Sequence, residues 1–119
     1  MNAIAEKRQD VATRTRATVI GEIATSIAKA FNIQPMQLIS GNKNTTDVVN
    51  ARRVCFFILR KALETNEIGR AFKFSRGHVF QSISKMDDRM AKDLNLFKKL
   101  STLDESQANR ISELQALSN

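Results

Sequence analysis

Residues 48–63, VVNARRVCFFILRKAL, hold an unbroken apolar block from Val54 to Leu59. The positions around this run set its type. Val48, Ala51, Cys55, Ile58 and Ala62 recur at three- and four-residue spacing, which sets them on one face of an α-helix. A helix that is apolar all round its middle must be enclosed by other elements. The stretch is therefore expected to be the central helix of the fold, running to about Glu64. Arg52, Arg53, Arg60 and Lys61 fall outside its apolar block.

The neighbouring segments can do the enclosing. Ile20, Ile23, Ala24, Ile27 and Phe31 form one helical face. Pro35 suits the first turn of a short helix in NIQPMQLIS, with Met36, Leu38 and Ile39 closing one end of the core. GNKNTTD, residues 41–47, reads as a loop, and Asp47 or Thr46 can cap the central helix. Thr65 or Asn66 opens a shorter helix, EIGRAF, with Ile68, Ala71 and Phe72 inward. After the turn KFS, Ser75 caps a further helix whose inner face is Val79, Ile83, Met86 and Met90, with Phe80 alongside.

Past Lys92, Leu94, Leu96, Phe97, Leu100 and Leu103 cluster, and Asp104 restarts a helix with Ile111, Leu114 and Leu117. Leu100, Leu103, Leu114 and Leu117 fit a heptad seam interrupted by Gln107 and Arg110. Packing on the chain's own core and a homodimer contact both remain open for it. With one Pro, four Gly and almost no strand-length alternation in 119 residues, the fold class is all-α. The expected architecture is a small helical bundle containing a helix-turn-helix. It divides into an N-terminal arm (1–18), the bundle (19–92) and a C-terminal helical extension (93–119).

Several function classes find no support. Cys55 is the only cysteine and sits in the apolar block, where a thiol acts as a small hydrophobe. No intrachain disulfide can form, which fits a reducing, cytoplasmic setting. No apolar run reaches membrane-spanning length, and MNAIAEKRQD is too charged for a signal peptide. His78 is the only histidine, so no zinc set and no cofactor site is expected. Neither is a nucleophile–base pair, and the chain does not read as an enzyme.

The charge is more telling. The chain carries a net charge of +7, and Lys43–Lys85 holds nine Lys and Arg against three acids. Most of the excess therefore lies in one segment, which suits a phosphate-bearing partner. If Ile83 is placed at the centre of the buried face of helix 76–91, His78, Gln81 and Lys85 point outward. Ser82 and Ser84 flank them, and Arg76 stands at the N-terminal end. Gln can pair with adenine, while Arg and Lys reach guanine or phosphate. Gly77 removes a side chain where backbone would approach a partner. The helix N-terminus adds free N–H groups and a positive dipole end. A short helix, a turn and a longer helix with this face describe a helix-turn-helix.

At EIGRAF, with the turn and helix after it, the chain resembles the C-terminal DNA-binding domain of the bacterial replication initiator DnaA. IATSIAKAFNIQPMQLIS is similar to that family's first helix and following segment, and VVNARRVCFFILRKAL to its central helix. The resemblance spans about residues 19–90. It implies a small helical domain that binds duplex DNA site-specifically. The recognition helix would enter the major groove, and a basic loop before the central helix would reach the minor groove. The family's Arg-Asp-His-Thr/Ser-Thr-Val signature falls, without a gap, on Ser75, Arg76, Gly77, His78, Val79 and Phe80. Its Arg-Pro-Arg stretch has NARR nearby. No G-x-x-x-x-G-K-[ST] phosphate loop is present, so only the DNA-binding module is resembled.

The expected partner is double-stranded DNA in replication control or transcription, in a cytoplasmic, nucleoid-associated protein. The expected contacts are Lys43, Asn50, Arg52, Arg53, Lys73, Ser75, Arg76, His78, Gln81, Ser82 and Lys85. The alternative is a module that keeps the fold but acts through protein partners.

Overall fold

A computed structural model of the chain describes residues 14–118; the expected arm falls mainly on residues 1–13, outside that range. The elements run α1 (Arg16–Ala30), a 3-10 turn (Pro35–Leu38), α2 (Thr46–Leu59), α3 (Thr65–Phe72), α4 (Arg76–Lys92), α5 (Leu94–Ser106) and α6 (Ala108–Ser118). Among the described residues there is no strand, and the fold is all-α. None of these helices is long and apolar enough to cross a membrane.

The apolar block of α2 is the centre of the molecule. Val54, Cys55, Phe56, Ile58 and Leu59 are fully buried. α1 and α4 pack against α2. The inner face of α1 supplies Val19, Ile23, Ala24, Ile27 and Ala28. Thr15 caps α1, its hydroxyl accepting from the Thr18 N–H at 3.1 Å. Leu38 of the 3-10 turn is fully buried, whereas Met36 is 66% exposed and does not close the core as its spacing suggests. Burial pushes the Cys55 thiol far above its usual range, so it stays protonated and inert.

The boundaries of the central elements differ from the sequence reading. Thr45, rather than Thr46 or Asp47, caps α2 by accepting from the Val48 N–H at 3.3 Å. α2 stops at Leu59, short of Glu64: the Lys61 and Ala62 N–H groups donate only three residues back, to the Ile58 and Leu59 carbonyls, which tightens the end of the helix. The Lys61 carbonyl, which a longer helix would use, accepts instead from the Gln115 side chain of α6 at 2.9 Å. The Lys61 ammonium pairs with Asp104 of α5 at 2.6 Å. Glu64 precedes α3 in place of Thr65 or Asn66, since Glu67 reaches back to the Glu64 N–H at 3.4 Å in a capping box.

The corner between α3 and α4 is a backbone-on-backbone contact. Lys73 takes the left-handed conformation, φ 62° and ψ 42°. The Phe74 N–H donates to the Gly69 carbonyl at 2.9 Å. A Cβ on Gly69 would sit 2.5 Å from the Phe74 carbonyl oxygen, so the tight turn requires glycine there. Ser75 then caps α4, its Oγ accepting from the His78 N–H at 3.1 Å.

α4 packs on both α2 and α3, which rotates its buried stripe away from the expected centre. Val79, Ser82 and Met86 are buried, and Ile83 and Met90 only partly. Phe80 is 63% exposed. Phe80, expected alongside the inner face, thus lies outside the core, while Val79 is buried as expected.

The C-terminal extension is part of the same core. Asp93 caps α5, accepting from the Leu96 N–H at 3.0 Å. The helix continues through Asp104, and the break falls at buried Gln107 instead. Leu96, Leu100, Leu103, Ile111 and Leu114 join the cluster formed by α1 and α2, with Leu117 packed against it. α6 lies on α1, where Arg14 bonds Glu113 at 2.7 Å and Glu22 at 2.5 Å. The leucines of the expected seam are therefore engaged within the chain.

Candidate nucleic-acid interface

Helical geometry fixes what α4 presents. With Val79 and Met86 facing inward, a rotation of about 100° per residue puts Gly77, Gln81, Ser84 and Asp88 at the middle of the solvent side. His78 and Lys85 lie on the flank toward α2, and Arg76 and Phe80 on the flank toward α3. The surroundings agree. His78, Gln81, Ser82 and Lys85 line a cleft of about 130 Å³ together with Asn44, Val49, Arg52 and Arg53. Arg76, Gly77 and Phe80 line a separate groove with Arg60 and the start of α3.

The cleft has an aromatic wall. The His78 imidazole stacks on the Phe74 ring with centroids 4.4 Å apart and planes 11° from parallel. Phe74 meets Phe56 edge-on at 5.9 Å, which ties the wall to the core. The Arg52 guanidinium lies 5.0 Å from the Phe74 centroid. Burial holds the His78 pKa below its ordinary value, and the charges of Arg52, Lys85 and Arg53 push the same way. A histidine so placed is neutral near pH 7 and surrounded by positive charge. Burial also lowers Arg53, with Arg89 adding to the effect.

Three of the expected contacts are engaged within the protein or packed against it. Arg52 is 5% exposed. Its Nε donates to the Leu38 carbonyl at 3.1 Å, Nη2 to the Gln37 and Ile39 carbonyls at 2.8 and 3.1 Å, and Nη1 to Asn44 Oδ1 at 2.5 Å. It is a strut that satisfies the 3-10 turn rather than a cation in water, and burial lowers its pKa. Ser82 is buried at 8% exposure, where its small side chain lies on the packed side of α4. Asn50 is half-buried, and its Oδ1 accepts from Arg89 at 3.2 Å.

The remaining expected residues are accessible. Lys43 stands on the loop before α2, and Lys73, Ser75 and Arg76 at the α3–α4 corner. His78, Gln81 and Lys85 are exposed along α4, and Arg53 is half-buried beside them. The Ser75 oxygen is already used as the helix cap. Sequence reasoning missed Asn44, which orients Arg52, and the part of Phe74 as the wall behind His78. The isolated Phe in a polar turn was the one available signal for the latter.

Charge pairing divides the molecule. Arg14, Arg16, Lys61 and Arg110 bond the carboxylates of Glu22, Glu113, Glu67 and Asp104. Among the described residues, no carboxylate comes within ion-pair distance of Lys43, Arg53, Lys73, Arg76 or Lys85. The ion pairs join the start of α1 to α3 and α6, and Lys61 to α5; among the described residues none involves the cations around the outward side of α4, nor Lys29, Arg60, Arg70, Lys98 or Lys99 elsewhere.

Residues 20–86, more than half of the chain, match a family model described as "Bacterial dnaA protein helix-turn-helix". No curated protein matches the chain.

Proposed function

The chain belongs to the bacterial DnaA helix-turn-helix family, a DNA-binding module, and from that membership we propose that it binds duplex DNA sequence-specifically. In this reading α4 lies in the major groove. Gln81 reads a base edge there, while Arg76, Lys85 and His78 reach bases or phosphates. Lys73 and the Ser75 turn meet the backbone, and Lys43 and Arg53 approach phosphates or the adjacent minor groove. Phosphate contacts set the register and base contacts carry the sequence. The process served is replication control or transcription.

The observation that carries the reading is the gathering of five cations without an ion pair, Lys43, Arg53, Lys73, Arg76 and Lys85, around the outward side of α4. Burial of Val79 and exposure of Phe80 also shift the signature by one residue relative to an ungapped placement. Val79 then takes its apolar place, and Ser75, Arg76, Gly77 and His78 stand where the family has Asp, His, Thr/Ser and Thr. Serine and aspartate are both strong helix caps, which supports this register. The changed readers support a target different from the initiator's own site.

Selection from random duplex DNA with the full chain tests the proposal. An enriched motif is expected, with affinity for it falling by roughly a thousandfold between 50 and 200 mM salt for about six phosphate contacts. Salt-independent affinity, or no enriched motif, would count against it. Self-association through Leu100, Leu103 and Leu114 forms no part of the proposal, since these residues fill the intramolecular core.

A further inference from the structure

We propose that Phe80 is a specificity-determining residue whose ring packs on the C5-methyl group of thymine in the major groove. The assignment rests on the DNA-binding reading above and extends it to a residue with no obvious structural task. Phe80 is 63% exposed in the second turn of α4. Its neighbour Val79 already fills the core position, so the fold does not need a second apolar side chain there. Among the described residues, the Phe80 ring makes no aromatic or cation contact, unlike Phe31, Phe56, Phe57, Phe72 and Phe74.

Its company gives the exposed ring a meaning. Gly77, Phe80, Gln81 and Ser84 are spaced i, i+3, i+4 and i+7, which makes them one continuous strip on the helix. Three of the four offer backbone, amide and hydroxyl groups. A Cβ on Gly77 would meet nothing within 4 Å, so the bareness of the strip beside Phe80 is not imposed by the protein's own packing. It lets a partner surface come close to the ring. In the major groove, the C5-methyl of a T·A pair is the apolar feature that marks it out, and Phe is among the side chains that contact it. A strip with one large apolar group next to a glutamine therefore fits a thymine beside a base that Gln81 can bond.

The test uses the full chain and a duplex recovered by selection, with each thymine replaced in turn by deoxyuridine, which lacks only the methyl. Fluorescence anisotropy should show wild-type affinity falling about fourfold at one or two positions, the equivalent of one buried methyl group each. Phe80→Ala should still bind the duplex and keep its melting temperature, but lose discrimination at those positions. 5-Methylcytosine against cytosine at the same positions should restore the effect in wild type alone. Wild-type binding that ignores the uracil substitutions, or a Phe80→Ala variant that retains the discrimination, overturns this assignment and leaves DNA binding standing. Failure to bind any duplex overturns the DNA-binding reading and this assignment with it.

Discussion

The His78 imidazole lies flat on the Phe74 ring, 4.4 Å between centroids. Phe74 in turn abuts Phe56 in the core. The first turn of α4 is thereby held to the centre of the molecule through two aromatic contacts. The side chain nearest the cleft's cations is the one that titrates nearest to neutral pH.

DNA affinity should rise as pH falls from 8 to 6. In the free protein, burial and the charges of Arg52, Lys85 and Arg53 hold the His78 pKa below about 6.5. An incoming phosphate reverses that field, so the bound state takes up a proton. Anisotropy at constant ionic strength should show affinity increasing severalfold, and His78→Asn should flatten the profile. Folding stability should move the opposite way. A histidine whose folded pKa is depressed contributes stability that is full above about 6.5 and declines as pH falls toward the folded value.

Gly77→Ala should separate stability from function. Gly77 lies in the first turn of α4 with nothing near a would-be Cβ. Alanine is the better helix former there, and thermal unfolding should show a gain of about 0.5 kcal/mol. On the proposed reading duplex affinity should fall in the same variant, because the methyl would stand on the strip that faces DNA.

Arg52→Ala and Arg76→Ala should fail in different ways. Removing Arg52 leaves the Leu38 and Gln37 carbonyls without their donor and Ile39 with only Asn42, at a cost of about 2–4 kcal/mol. Its melting temperature should drop sharply. Arg76 is exposed, so its variant should unfold like wild type while the slope of log affinity against log salt falls by about one.

Gly69→Ala should destabilise by about 1–3 kcal/mol, as read from urea midpoints. The added methyl would meet the Phe74 carbonyl, and backbone cannot swing aside as a flexible side chain would.

The four helices of the expected bundle were legible because their apolar residues keep a period near 3.6. Ser75 was legible as a cap because one serine stands alone before the run. The cap of α2 was not, since Thr45, Thr46 and Asp47 are adjacent and each is competent. The end of α2 carries no Gly or Pro to mark it, and the side chain that bonds the Lys61 carbonyl just beyond it, Gln115, lies 54 residues away. Arg52 and Ser82 were misplaced for a related reason. Polar residues read as surface, and sequence does not reveal that three carbonyls converge on one, or that helix packing favours the small size of the other. Phe80 failed the rule from the other side, as an apolar residue on a solvent face. Departures of that kind gather where a surface is built for contact rather than for folding.

Gly69 and Phe74 touch through backbone, which has a mechanical consequence. The pitch of α4 against α3 is set by atoms common to every residue rather than by the shapes of side chains that can be exchanged. Swapping Ile68, Phe72 or Val79 for other apolar residues can slacken the core while leaving this backbone contact in place. On the proposed reading, target preference can then drift through Gly77, Phe80, Gln81 and Ser84 while the corner that carries them keeps its geometry.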